Sequence, residues 1–285
     1  MGRLWFVLVF AVLATGSAPL RGAAATPGIG PAELALVARH GVVDLPDIGA
    51  SVDFSERYGF LDAATTQRAM AAAGVKPSDA FQLIGTIFPS DADVSPGRAW
   101  RASVSYRDTG YIPDSPLDPF EPADLLSQIQ RADSGNIKSL GWLLEPHYDQ
   151  TAHLMTSALQ VQRGDAEPML IYDVRKLTRK GVVSITFLAR TSAIAAVSSA
   201  AADLGERLRL RPGSRYEDFQ PDDRKADVRP SDLILIDSGV PLLTRPSTAK
   251  DVIFAALGLL AIGGFVVFVL RSALRGSRPR RTSAG

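Results

Sequence analysis

Two apolar runs bracket the chain. Leu4–Ala14 is 11 residues without a charge, behind Arg3 and ahead of the small residues Gly16–Ala18 and Ala23–Ala25. Basic start, apolar run and small-x-small end predict a secretory signal peptide over residues 1–25, cut after Ala25. Left uncut, the run would be a short anchor, though a span needs about 20 apolar residues. The second run, Val252–Leu270, is 19 residues without a charge, 13 of them Val, Ile, Leu or Phe. At insertion energies of about −0.3 to −0.6 kcal/mol each these sum to roughly −4 to −8 kcal/mol, so a transmembrane helix is predicted over residues 252–270. Arg271, Arg275, Arg278, Arg280 and Arg281 follow at once. The positive-inside rule therefore puts the basic tail, residues 271–285, in the cytoplasm.

Between the runs the pattern alternates between strand and helix periods. Ala32–Ala38 and Val42–Leu45 read as a strand pair around Arg39-His40-Gly41, and Tyr58–Leu61 as a further strand. Asp62 is suited to cap a helix over Ala63–Ala73, with Gly74 as its stop. Phe81–Phe88 is an apolar run of strand length, and Trp100–Tyr106 alternates. Glu121–Ala132 carries a helical stripe of Leu125, Leu126 and Ile129, and Ile137–Leu144 reads as a strand. His153–Val161, Met169–Leu177 and Val182–Ala189 are joined by turn-like Arg163–Ala166 and Arg179–Gly181, which predicts an antiparallel meander. Thr191–Leu208 is alanine-rich and helical. The fold class is therefore α+β, a mainly antiparallel sheet with packed helices, in one exported domain over residues 26–220. Residues 221–251, rich in Asp, Arg, Pro and Ser around the apolar patch Leu233–Ile236, read as a juxtamembrane connector.

Composition narrows the chemistry. The chain of 285 residues has no cysteine, which excludes disulfides, thiolate metal sites and cysteine nucleophiles. Residues 26–250 hold 24 basic and 29 acidic groups, so nothing points to nucleic acid. GxSxG, HExxH, the phosphate-binding P-loop and GxGxxG are all missing. No cofactor is expected.

Only His40, His147 and His153 carry imidazoles. His147 and Asp149, two apart, project to one face of an extended chain, and His153 could fold back across a turn. Two imidazoles and a carboxylate could hold a zinc-like ion, or Asp149 could orient His147 as a general base. The competing reading is a turn that Asp149 caps. Asp108, Asp114, Asp118 and Glu121 gather carboxylates around Gly110, either for calcium or as turn and helix-start residues. Arg215-Tyr216-Glu217-Asp218-Phe219 is either a binding epitope or a device that docks the domain's end. Arg175-Lys176 and Arg179-Lys180 read as a solvated basic hairpin tip.

Three segments, taken together, resemble a known bacterial family. They are Ser105–Tyr111, Gly141-Trp142 leading to Pro146–Asp149 and His153, and Pro212–Phe219. Their order and spacing, with an exported domain and a C-terminal anchor, resemble the membrane-anchored proteins of domain of unknown function 2167. The resemblance runs from about Ile29 to about Lys225. Ala152 and Ser157 depart from the family's usual Thr and Trp, and the stretch after Lys225 departs too. The resemblance implies the location and one folded unit, and it brings no activity.

The reading is a single-pass protein of the cytoplasmic membrane whose main domain is extracytoplasmic and acts by binding an envelope protein or surface component, not as an enzyme. Residues 252–270 would meet the lipid bilayer. The binding candidates are Tyr106, Asp108, Tyr111, Arg215, Tyr216 and Phe219. The alternative is a tethered enzyme or metal-binding domain using His147, Asp149 and His153.

Overall fold

The computed structural model describes residues 37–72, 81–90, 100–114, 121–133 and 136–238. The expected signal peptide over 1–25, transmembrane helix over 252–270 and tail over 271–285 lie outside them, as does Gly74. Among the described residues no helix is long and apolar enough to cross a membrane.

Among the described residues ten strands form two antiparallel sheets. The small sheet has β1 (Val42–Leu45), β2 (Ala50–Asp53) and β10 (Leu208–Leu210) in the order β1-β2-β10. The large one has β3 (Tyr58–Asp62), β4 (Gln82–Pro89), β5 (Trp100–Arg107), β6 (Ile137–Asp149), β7 (Leu154–Arg163), β8 (Met169–Leu177) and β9 (Val182–Arg190). Its order is β3-β4-β5-β9-β8-β7-β6. The expected α+β class and the β7-β8-β9 meander are both present, with β8 paired residue for residue to β9 from Met169↔Arg190 to Leu177↔Val182.

Among the described residues four α-helices accompany the sheets: α1 (Ala63–Ala72), α2 (Pro122–Arg131), α3 (Ile194–Arg207) and α4 (Pro230–Asp237). Asp62 caps α1 as expected, its Oδ1 accepting the Thr65 N–H at 2.8 Å. One face of the large sheet is apolar. Trp100, Ala102 and Val104 of β5 and Val183, Ile185 and Phe187 of β9 are buried there with Val197, Ala201 and Leu204 of α3 and with the small sheet. The alanines of α3 let its backbone approach closely, and each large apolar side chain withdrawn from water contributes about 1.5–3 kcal/mol. The opposite face carries α1 and α4. Thr66 of α1 bonds Thr86 of β4 at 3.3 Å. Asp237 at the end of α4 bonds Arg107 of β5 at 2.6 Å and Arg175 of β8 at 2.8 Å.

Three expectations change. β1 pairs with β2, because Pro46–Ile48 and Gly49 (φ 59°) reverse the chain within four residues, while most of the expected upstream strand, residues 32–36, lies outside the described residues. Arg39 instead bridges Phe60 of β3. β6 runs on through Pro146–Asp149, where a turn was expected, its pairing with β7 interrupted by three register shifts. Residues 221–238, read as connector, are built into the fold. Lys225 bridges Tyr111, and α4 buries Leu233, Ile234 and Leu235.

Candidate functional site

At the end of the large sheet that carries the β6–β7 and β8–β9 turns, the three motif segments meet. The first follows β5. Gly110 takes φ 90°, and a Cβ there would lie 2.6 Å from the carbonyl oxygen of Arg224, so only glycine lets the two segments run side by side. Tyr111 donates its N–H to that oxygen at 2.8 Å and its carbonyl accepts from Ala226 at 2.7 Å. The segment then buries Ile112 and Asp114.

The second segment is the β6–β7 turn. Asp149 caps it, its Oδ1 accepting the N–H groups of Thr151 at 2.8 Å and Ala152 at 3.0 Å. Those bonds hold its carboxyl below the usual carboxylate range. His153 closes the turn at φ 49°, in the left-handed region that few non-glycine residues enter, asparagine, aspartate and histidine most often among them.

Strand alternation then decides which side chains meet. His147 and Asp149 do share one face of β6, as expected, but both are exposed there. Tyr148, on the other face, is the residue that meets His153. The Tyr148 hydroxyl donates to Asp114 Oδ2 at 2.7 Å, and His153 Nδ1 lies 3.1 Å from the same oxygen. The hydroxyl and Nδ1 are 3.4 Å apart. A carboxylate only accepts, so Nδ1 carries a proton, and in the neutral ring Nε2 is the acceptor. Nε2 has no hydrogen-bond partner among the described residues, and the side chain is 24% exposed. Burial, and then the bond to Asp114, push the Tyr148 phenol well above its ordinary value, so it stays a neutral donor.

The third segment supplies Tyr216 from a 3₁₀ turn over Tyr216–Asp218. Its buried hydroxyl donates to the Ile112 carbonyl at 2.8 Å and accepts the Asp114 N–H at 3.0 Å. Its ring lies 4.0 Å from the His153 ring and 4.5 Å from Tyr111, which stacks in turn on Phe219 at 4.1 Å. Burial also raises the Tyr216 phenol.

The structure therefore brings together Tyr111, His153, Tyr216 and Phe219 from the expected set, joins to them Asp114, expected only among the calcium or turn carboxylates, and adds Tyr148. The trio His147, Asp149 and His153 is not assembled, because the turn sends His153 to the opposite side of β6. Among the described residues no group of three or more His, Asp or Glu side chains could hold a metal ion. The carboxylates grouped for calcium also part company. Asp108 pairs with Arg224 at 2.6 Å, Asp114 faces His153, and Asp118 lies outside the described residues. Tyr106 packs on the core and Arg215 stays exposed, its Nε donating to the Leu210 carbonyl at 3.4 Å, so neither joins the cluster. The basic tip is not solvated throughout. Arg175 is 1% exposed and held by Asp173 and Asp237, and Arg179 makes two bonds to Asp223 at 2.6 and 2.9 Å.

A groove of about 430 Å³ lies elsewhere, lined by Val42, Ser51, Asp53, Asp203, Glu206, Arg207 and Arg209. Arg207 spans it, bonding Asp203 at 2.7 Å and Asp53 at 3.1 Å, so its central charges are satisfied internally.

Residues 37–262 match the model of the family described as "Protein of unknown function (DUF2167)", and the chain belongs to that family. The match continues past Lys225, through α4 to residue 262, where the sequence reading saw a departure. No curated protein matches the chain. The solution structure of cyanobacterial PsbP (CyanoP) from Synechocystis sp. PCC 6803 is similar at 12% identity over 69% of this chain and 98% of that one, with a TM-score of 0.37.

Proposed function

We propose that this member of the DUF2167 family is an extracytoplasmic module, tethered by residues 252–270, that acts by binding through the surface around His153. The observation that carries the reading is the convergence of three segments far apart in sequence on one imidazole. Asp114 fixes its tautomer, Tyr216 and Tyr111 supply aromatic faces, and Nε2 is left as an acceptor at the surface. Among the described residues no nucleophile and no second acid or base lies within hydrogen-bond reach of Nε2, so the geometry favours recognition over catalysis. Stacked aromatic rings beside one polar anchor are a usual composition for a protein-binding patch. An envelope protein is the partner class in this reading.

The test is site-specific photo-crosslinking in intact bacterial cells producing the full chain. A photoreactive residue replaces exposed Glu217, beside Tyr216, or Glu167 at the opposite end of the sheet. A discrete adduct from position 217 and none from 167 supports the reading. Equal labelling at both positions, or none, contradicts it.

A further inference from the structure

The His153 ring is held from inside the fold. Nδ1 is tied to Asp114 Oδ2 at 3.1 Å, and the same oxygen takes the Tyr148 hydroxyl at 2.7 Å. One face of the ring lies 4.0 Å from Tyr216, and the backbone is fixed where the His153 carbonyl accepts the Leu177 N–H at 2.9 Å. Nδ1 is therefore spent on Asp114 in either charge state of the imidazole. Nε2 is the nitrogen whose character changes. It accepts a hydrogen bond in the neutral ring and donates one in the imidazolium. One proton thus inverts the outer nitrogen and leaves every inner contact in place.

The charged and titratable groups around the ring come from five elements. The segment after β5 supplies Asp114, which is buried, and Tyr111, which stacks behind Tyr216. β6 supplies Tyr148, and the 3₁₀ turn supplies Tyr216; burial holds both phenols neutral. The β6–β7 turn is capped by Asp149, whose Oδ1 is taken by the Thr151 and Ala152 N–H groups. β8 supplies Lys176, whose charge interacts with Glu217, Arg209 and Asp149. Asp114 is the one anion in contact with the imidazole.

Proton uptake therefore has two consequences of opposite sign. Inside, the Nδ1 bond becomes an ion pair with a buried carboxylate, and such a pair is stronger than the neutral bond it replaces. Outside, the acceptor is lost, and a donor on a partner then meets a donor on the ring. Such a mismatch leaves a partner's N–H or O–H unpaired in an interface, at the cost of desolvating it.

We infer that the His153 surface recognises its partner through an N–H or O–H group that donates to Nε2, and that a proton on the imidazole releases it. This rests on the binding role proposed above and adds the chemistry of the partner's contact group and its control by pH. Histidine is the side chain suited to such control, because its charge changes between about pH 5 and 8. Asp114 is the positioning residue, presenting the ring in one orientation in both states.

The test is photo-crosslinking from position 217 of the full chain, in cells held at a series of values from about pH 8 to about pH 5.5, the span of imidazole titration. The adduct should fall severalfold toward the acid end. Asp114→Asn keeps an oxygen beside Nδ1 and removes the charge, so its adduct should persist to a pH lower by about one unit or more. On the protein alone, in a non-ionic detergent, the urea midpoint of the parent should gain on that of His153→Asn as pH falls over the same span, since the inner ion pair is present in acid and lost as pH rises. An adduct that forms at about pH 8 and is unchanged at about pH 5.5 refutes the control by pH and leaves the binding role standing. So does an adduct lost at the same pH in Asp114→Asn and the parent, which would mean that the partner titrates. No adduct at any pH refutes both. A parent that gains nothing on His153→Asn refutes the inner ion pair and the proposal with it, and that comparison decides even where Asp114→Asn fails to fold.

Discussion

The Tyr148 hydroxyl donates a 2.7 Å hydrogen bond to the buried carboxylate of Asp114, 34 residues earlier in the chain. That oxygen also faces His153 Nδ1 at 3.1 Å, while the backbone N–H of Asp114 donates to Tyr216. One residue thus ties the three motif segments together. Asp114→Ala removes the shared acceptor and leaves the Tyr148 hydroxyl and the imidazole N–H without it. A loss of about 2–4 kcal/mol is expected in urea unfolding, against about 1–2 for Tyr148→Phe, which removes one donor only.

Asp237 closes the second polar cluster. It is bonded to Arg107 and to Arg175, the latter fully buried. Asp237→Ala leaves Arg175 with Asp173 as its carboxylate, beside a 3.5 Å bond to Ser157, and weakens the docking of α4. The expected cost is about 1–3 kcal/mol, below that of an isolated buried pair because Asp173 remains and Asp237 is partly exposed. Chemical denaturation of the full chain measures it, and an unchanged midpoint would mean that α4 is held by its apolar residues alone.

Gly181 sits where the β8–β9 turn passes the end of β5, and a Cβ there would lie 2.0 Å from the Arg107 carbonyl oxygen. Gly181→Ala must push the two backbones apart, at about 2–3 kcal/mol. Gly164→Ala, in a turn with the nearest atom 3.8 Å away, should cost less, its φ of 53° being the main penalty.

Stability should fall at both ends of the pH scale. Several carboxyls are held below their ordinary values: Asp62 by the Thr65 N–H, Asp223 by Arg179, and Asp203 by Arg207 and Tyr58, whose bonds outweigh its burial. Their stabilisation is complete above the unfolded value near 4 and is lost as pH drops through the lower folded values. At the alkaline end, burial and Asp203 raise the Tyr58 phenol to about 12. Its contribution is complete below about pH 10 and is lost as pH rises from there through about 12. Unfolding midpoints across this range check both signs, and Tyr58→Phe should remove the alkaline component attributable to this group.

The chain's lack of cysteine makes its topology directly measurable. Ala166→Cys in the exposed β7–β8 turn should react with a membrane-impermeant maleimide in cells whose outer barrier is opened. Ser283→Cys in the tail should react only after lysis. The reverse pattern would place the domain in the cytoplasm.

Much of the fold was legible in the sequence because local signals carry it. The meander is written in three alternating runs with short turns, and α1 in the Asp62 cap. The tight Pro46–Gly49 reversal was the local signal missed, and with it the pairing of β1. The site was half legible. Tyr111, Tyr216, Phe219 and His153 stand out as aromatic or titratable residues in turns. Tyr148 was hidden by the assumption of a turn. Extending β6 through Asp149 puts it on the face opposite His147, so period-two counting would have found it. Asp114 stands out only as one of a group of carboxylates; its role is not legible, since it depends on partners 34, 39 and 102 residues away. The Arg175 misreading has the same origin, for what buries it is α4, 62 residues on to Asp237.

The measurement that bears most directly on the His153 surface is a paired one on His153→Asn: stability, and crosslinking from position 217. Asparagine tolerates the left-handed backbone that His153 adopts, so the substitution adds no backbone strain, and Asp114 keeps its bond from Tyr148. A binding role predicts a fold within about 1 kcal/mol of the parent and a lost crosslink. A clearly destabilised chain that still crosslinks from position 217 would make His153 a structural staple and contradict the proposed function.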